Sequence, residues 1–366
     1  MKTRSPCASD FFRREALEFP KYTLNEPAAP VRLHQNEMLL LTADERREFL
    51  AELSRQMESG DAINTYPSLS PLALIQAFAQ SLDVPEDCLE VTAGSSQALT
   101  LIAEGLFAPG RKIAVTSPSF SLYAHLVRLY GAEVVDIPLD ENFEFSPQSM
   151  FSEQVMNADV AIICSPNNPT GTALSHQALL EFAEKFPGVV VIDEAYFEFF
   201  EARGETSSVK FATTRPNVIV LRTLSKAWSA AGLRVGAMIA CPEVISVFRA
   251  LKPPYSIAWP SEILSGFILS QKKAETRKKV AQTISMVDDL NALLRGCSGV
   301  EMLTESRANF VFFRTPRGDA LEQALNREGF LIRRYASGRL ANCVRISMPP
   351  FEKLDSLKNS LREVLQ

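Results

Sequence analysis

Between Leu89 and Ala240 the chain passes through seven short apolar runs, LEVTAG, KIAVTSP, EVVDIPL, DVAIICSP, GVVVIDE, NVIVLRT and VGAMIA, with amphipathic stretches between several of them. Val- and Ile-rich runs of this kind suit strands buried on both faces, and helical patterns between them suit parallel crossovers. The expectation is an α/β fold with a mostly parallel, doubly wound central sheet. At 366 residues and 46% hydrophobic content, the chain can bury a large core and still form a second domain. After Pro260 the pattern changes to a long helical segment reaching about Arg295. Strands then follow at ANFVFFRT, GFLIRR and CVRIS, with helices near 319–328 and 351–364. This tail reads as a smaller α+β domain. Ahead of the sheet, one helix is opened by Thr42 with Glu45 at capping-box spacing, and another by Ser70 with Pro71 at its first position. The Pro-rich pieces at 27–30 and Pro253-Pro254 read as connectors.

Charge narrows the function classes. The formal net charge is −5, and the basic residues are scattered apart from Lys272, Lys273, Arg277, Lys278 and Lys279, a run interrupted by Glu275 that reads as a solvated helix face. Neither nucleic acid nor a membrane is expected as a partner. No apolar run approaches the ~20 residues that span a bilayer, and MKTRSPCASDFFRRE lacks the apolar core of a signal peptide, so a cytoplasmic protein is expected. Cys7, Cys88, Cys164, Cys241, Cys297 and Cys343 include no CxxC pair and are expected to be free, mostly buried thiols. His34, His125 and His176 show no metal-ligand spacing; structural polar roles are expected, and no metal site.

Chemistry-bearing residues gather where strands end, the edge at which open α/β sheets bind ligands. After NVIVL come Thr223, Ser225, Lys226 and Arg234. Desolvation and a neighbouring cation can deprotonate Lys226 for attack on a carbonyl, while two hydroxyls and a guanidinium suit a phosphate. Pyridoxal phosphate joins both features, its aldehyde forming a Schiff base with Lys226; by itself the segment also reads as a solvated helix start. Ser95 and Ser96, in a small-residue turn entering a helix, suit an anion, or simply cap that helix. Asn168, in SPNNPTG, is framed by prolines and can hold a ring oxygen, although Asn, Pro and Gly also build ordinary turns. Asp193, leaving VVVI, can pair with a pyridinium nitrogen, and Tyr196 can donate to the ring's phenolic oxygen. A magnesium-binding Asp-Glu pair is the rival reading, weakened because no GxxxxGK[ST] loop is present. Phe120 can stack on a ring or lie in the core.

Taken in order, GSSQAL, SPxFxxY, SPNNPTG, DEAY and TLSKxxxxAGLRxG resemble the fold-type-I pyridoxal-phosphate aminotransferases of class I/II over nearly the whole chain. Within them, Tyr66-Pro67, Asn36-Glu37 and GFLIRR…CVRIS resemble the histidinol-phosphate aminotransferases. The resemblance implies that Lys226 carries the cofactor and moves the substrate proton, Asp193 takes the pyridine nitrogen, Tyr196 and Asn168 the phenolic oxygen, and Phe120 the ring face. Thr223, Ser225, Arg234 and the amides at Ser95 and Ser96 would hold the phosphate. Tyr66 would reach the phosphate of a neighbouring subunit, implying a homodimer with shared active sites. Arg345 would grip a substrate carboxylate, Arg333 would bind substrate, and Asn168 would border it. Small amino-acid and 2-oxo-acid substrates follow, with glutamate and 2-oxoglutarate as one pair and L-histidinol phosphate as the other donor. The expected division is an N-terminal arm at 1–50 that joins a small domain, a large cofactor domain at 51–260, and the rest of the small domain at 261–366. Arg334 departs from the family, standing where an acidic residue is frequent, which leaves the substrate's side chain open. A decarboxylase related to the threonine-phosphate decarboxylases, an aminotransferase for another amino acid, and a cofactor-sensing domain without turnover are the competing readings.

Overall fold

The computed structural model describes residues 29–60 and 64–366, together with Phe11 and Leu17. Cys7 and the start of the connector at 27–30 lie outside the described residues. A short strand β1 (Val31–Arg32) precedes seven that follow the apolar runs: β2 (Leu89–Thr92), β3 (Lys112–Ser117), β4 (Glu133–Pro138), β5 (Val160–Cys164), β6 (Val189–Asp193), β7 (Val218–Thr223) and β8 (Gly236–Ile239). These seven form one sheet in the order β2-β8-β7-β6-β5-β3-β4, with β8 antiparallel to both neighbours and the pairs from β7 to β4 parallel. Side-chain alternation explains the unbroken apolar runs. Along β6, Val190 and Ile192 enter the layer containing Phe78 and Phe182, while Val191 enters the opposite layer with Leu99, Leu126 and Phe248. Helices cover both faces, and the parallel strands present their C-terminal edges together.

The C-terminal part adds β9 (Phe310–Arg314), β10 (Phe330–Leu331), β11 (Arg333–Arg334) and β12 (Cys343–Ser347). GFLIRR, expected as one strand, is two. Phe330–Leu331 pairs in parallel with β1, whereas Arg333–Arg334 joins an antiparallel sheet of order β11-β12-β9. The division follows from competing partners: Leu33 N–H donates to the Leu331 carbonyl at 2.7 Å, which ties the first half to the N-terminal segment. Ile332, between the halves, is buried in the core where Met286, Leu290, Leu321 and Leu357 from three helices meet Val311 and Val344 of the sheet.

Other helix expectations need adjustment at their ends. Thr42 and Glu45 form the reciprocal capping box. Ser70 does not cap its helix; the N-cap is Pro71, whose carbonyl accepts from Ile75 N–H at 2.9 Å, so Leu72–Leu82 starts one residue later. The long segment breaks at Lys272 into Trp259–Gln271 and Lys273–Arg295. Its basic run is only partly solvated: Lys272 pairs with Glu48 and Lys279 with Glu45, each at 2.5 Å, fastening the helix pair to Ala43–Glu58. Cys88, Cys164, Cys241, Cys297 and Cys343 are free and buried. Among the described residues, no helix is long and apolar enough to cross a membrane, and no three His, Cys, Asp or Glu side chains gather as a metal site.

Candidate active site

A cavity of about 400 Å³ opens at the C-terminal edges of the parallel strands, between the large sheet and the β11–β12 hairpin. Ser95, Ser96, Phe120, Asn168, Asp193, Tyr196, Thr223, Ser225, Lys226, Arg234, Arg333 and Arg345 all line it. Tyr66 does not: it is 81% exposed and stacks on Tyr255 at 4.8 Å.

Lys226 follows β7 and donates from Nζ to the Gln35 carbonyl at 2.9 Å. Burial, assisted by the guanidiniums of Arg345 and Arg234, lowers its pKa to about 8, so the neutral amine is readily reached. Asp193 ends β6 and accepts from Tyr123 Oη at 2.7 Å and from Ala195 N–H at 3.0 Å. Burial pushes its carboxyl above the ordinary range, opposed by these donors and by Lys226. It has no ion-pair partner among the described residues, so a cationic ring N–H would relieve a buried charge.

Strand alternation separates Asp193 from its neighbour. Glu194 turns to the other side, where it meets Arg222 at 3.0 Å, Ser207 Oγ at 2.6 Å and Ser208 N–H at 2.8 Å. The two carboxylates therefore do not converge as magnesium ligands.

An anion seat lies at the start of the helix Gly94–Leu106, whose free N–H groups and dipole favour negative charge. Gly94 has φ +76°, and a Cβ there would stand 2.6 Å from Arg234 Nη2. That close approach brings the guanidinium over the helix terminus. Arg234 Nη1 also donates to Ser225 Oγ at 3.3 Å, and Thr223 Oγ1 donates to Ser225 Oγ at 3.0 Å. Two hydroxyls, a guanidinium and a helix N-terminus match a phosphate.

Beyond the seat, Asn36 Nδ2 donates to Tyr196 Oη at 2.9 Å, leaving the phenol proton to be given elsewhere. Asn168 Oδ1 accepts from Arg345 Nη1, and Arg345 Nη2 donates to the His34 carbonyl. Arg345 Nε is buried without a partner. Arg333 and Arg345 are directly paired across β11 and β12, an arrangement of like charges that an anion would stabilise. Arg334 faces away, paired with Asp319 at 2.9 Å and Glu322 at 3.0 Å. Its departure from the family pattern therefore leaves the cavity lining untouched.

Several contributors carried no assigned role in the sequence. Tyr123 stands three residues after Phe120 in SPxFxxY, and the turn closed by Tyr123 N–H on the Phe120 carbonyl at 3.1 Å brings both rings to one site. Gln35, Tyr335 and Leu340 also line the cavity, from irregular segments without periodicity, as does His34, for which only a structural polar role was expected.

Comparison with known proteins agrees with this geometry. The family described as aminotransferase class I and II matches residues 29–361. The chain is 33% identical over 287 residues to a histidinol-phosphate aminotransferase of Chlorobium phaeovibrioides, covering 78% of each protein. It superposes with a TM-score of 0.81 on the crystal structure of histidinol-phosphate aminotransferase from Sinorhizobium meliloti in complex with pyridoxal-5'-phosphate. That match has 21% identity and covers 92% of this chain and 91% of that one. L-threonine-O-3-phosphate decarboxylase from Porphyromonas gingivalis superposes with a TM-score of 0.76 at 23% identity, covering 91% and 98%. At these identities the two structural likenesses establish the fold alone.

Proposed function

Because the chain belongs to the class I and II aminotransferases, enzymes that use pyridoxal 5'-phosphate, we propose that it transfers the amino group of L-histidinol phosphate to 2-oxoglutarate, reversibly and in two half-reactions. The observation that carries this substrate reading is the cross-strand pair Arg333 and Arg345 in the same cavity as Lys226, two neighbouring cations for a phosphate or a dicarboxylate. When bound, pyridoxal phosphate supplies the carbonyl that receives the amino group and the ring that withdraws electrons from the substrate Cα.

In this reading Thr223, Ser225, Arg234 and the amides near Ser95 and Ser96 hold the cofactor phosphate. Asp193 would hold a proton on the pyridine nitrogen, Tyr196 and Asn168 would serve the phenolic oxygen, and Phe120 would cover the ring face. Lys226 would attach the cofactor and, as a free amine, would take up the proton of the substrate Cα. Arg345 binds the substrate anion with Asn168 beside it, and Arg333 takes the second negative group.

The exposure of Tyr66 outside its own cavity supports a homodimer in which it serves the other copy's phosphate seat. The same proposal divides the chain into 1–50 and 261–366 around a cofactor domain at 51–260. Free, buried thiols support a cytoplasmic setting.

Purified enzyme supplied with L-histidinol phosphate and 2-oxoglutarate should form one glutamate for each donor consumed. Likeness to the threonine-phosphate decarboxylase supports a second reading, on the same scaffold. Release of carbon dioxide from L-threonine O-3-phosphate without any need for 2-oxoglutarate would favour that one.

A further inference from the structure

The β11–β12 hairpin supplies one wall of the cavity, and its tip is fastened to the opposite wall by Arg339. Beyond the strands the hairpin continues through Tyr335 N–H to the Cys343 carbonyl at 2.9 Å and Asn342 N–H to the Tyr335 carbonyl at 3.1 Å. The tip is the 3₁₀ turn Gly338–Leu340, which opens on left-handed Gly338 (φ +62°) and is followed by left-handed Asn342 (φ +63°). From this turn Arg339 Nη2 donates to the carbonyls of Leu139 at 2.9 Å and Asp140 at 2.6 Å, and Nη1 donates to that of Ser117 at 3.3 Å. Its guanidinium also lies 5.3 Å from the ring centre of Phe143. Ser117 ends β3, and Leu139 and Asp140 follow β4, so one side chain gathers two strand ends of the large sheet.

Both walls carry cavity residues. Ser119, Phe120 and Ser121 follow directly from Ser117, while Arg333, Tyr335 and Leu340 belong to the hairpin. Tyr335 and Leu340 pack against the cluster of Leu139, Phe143, Leu303, Phe312 and Cys343, and Arg333 lies 5.4 Å from the Tyr335 ring centre. Arg333 is the exposed member of the cationic pair and has only the hairpin to fix its direction. We propose that Arg339 is a positioning residue for substrate: by clasping the carbonyls at the ends of β3 and β4, it holds Tyr335 and Arg333 over the cavity where the substrate's second negative group binds. The inference rests on the reading of this cavity as the amino-transfer site. A guanidinium is needed because its planar fork reaches several carbonyls at once, which a lysine ammonium does less well.

The test uses cofactor-loaded enzyme titrated calorimetrically with succinate, an unreactive dicarboxylate, in wild-type, Arg339→Ala and Arg339→Lys forms. Arg339→Ala should weaken succinate binding about tenfold, the scale of one displaced charge-assisted contact at Arg333. Arg339→Lys should weaken it less. Cofactor retention, which uses no hairpin residue, should match the wild type in both. Equal succinate affinity in all three forms overturns the inference, as does loss of cofactor and succinate together, which would make Arg339 a residue of general stability. Because succinate is not turned over, failure of the histidinol-phosphate reading shows separately, as a wild-type enzyme that binds succinate and leaves L-histidinol phosphate unreacted.

Discussion

The surroundings of Lys226 favour its neutral amine. A buried amine with Arg345 and Arg234 nearby loses its proton near pH 8, well below the 10.5 of a free lysine. Capture of pyridoxal phosphate by cofactor-free protein should therefore accelerate as pH rises towards about 8 and level off above it, measured by stopped-flow absorbance. The same shift sets a sign for stability. Between about pH 8 and 10.5 the unfolded chain keeps the proton that folded Lys226 has lost, so this group's contribution to stability rises with pH across that window. Lys226→Ala should abolish the visible band of lysine-bound cofactor and nearly all turnover, and normal turnover in that variant would remove it from the mechanism. Asp193→Ala should keep some cofactor but lose about 100-fold or more in rate, the scale of one removed electrostatic group in a buried site.

At the scale of elements, the strand ends are held from behind by buried charges. Arg222 of β7 bridges Glu194 at 3.0 Å and Glu198 at 2.8 Å, and Trp228 Nε1 donates to Glu198 Oε1 at 3.1 Å. This network joins the segment bearing Asp193 and Tyr196 to the loop bearing Lys226. Arg222→Met leaves two largely buried carboxylates without their cation and should cost about 3–5 kcal/mol, read from denaturant unfolding. A cost near zero would mean that the carboxylates relax into water. The sequence disclosed the strands beside this network because Val/Ile runs speak locally, and it disclosed Asp193 because a carboxylate after four apolar residues is conspicuous. It did not disclose the Glu194–Arg222 pairing, which depends on strand order, or the split of GFLIRR, which depends on a partner some 300 residues away in sequence, β1.

For the whole molecule, the cavity belongs to distant parts of the chain. Gln35 accepts from Lys226 across 191 positions, and Arg345 reaches the His34 carbonyl across 311. The motif residues were legible because their chemistry is carried at strand ends within the large sheet. The N-terminal segment was legible only at Asn36, in the Asn36-Glu37 pair, because His34 and Gln35 act through backbone carbonyls that any residue type offers. The proposed homodimer extends this sharing between copies. Mixing Lys226→Ala with Tyr66→Phe subunits should yield hybrid dimers with one unaltered seat and recover activity above either parent; no recovery in hybrids shown to form would confine each site to one chain.

The most direct measurement is the absorbance spectrum of the cofactor-loaded enzyme during separate titrations with L-histidinol phosphate and L-glutamate. Conversion of the lysine-bound cofactor band to the amino form by both donors is the predicted result. Conversion by glutamate with no response to L-histidinol phosphate would contradict the substrate reading, and a protein that shows no lysine-bound cofactor band after loading would contradict the site built on Lys226.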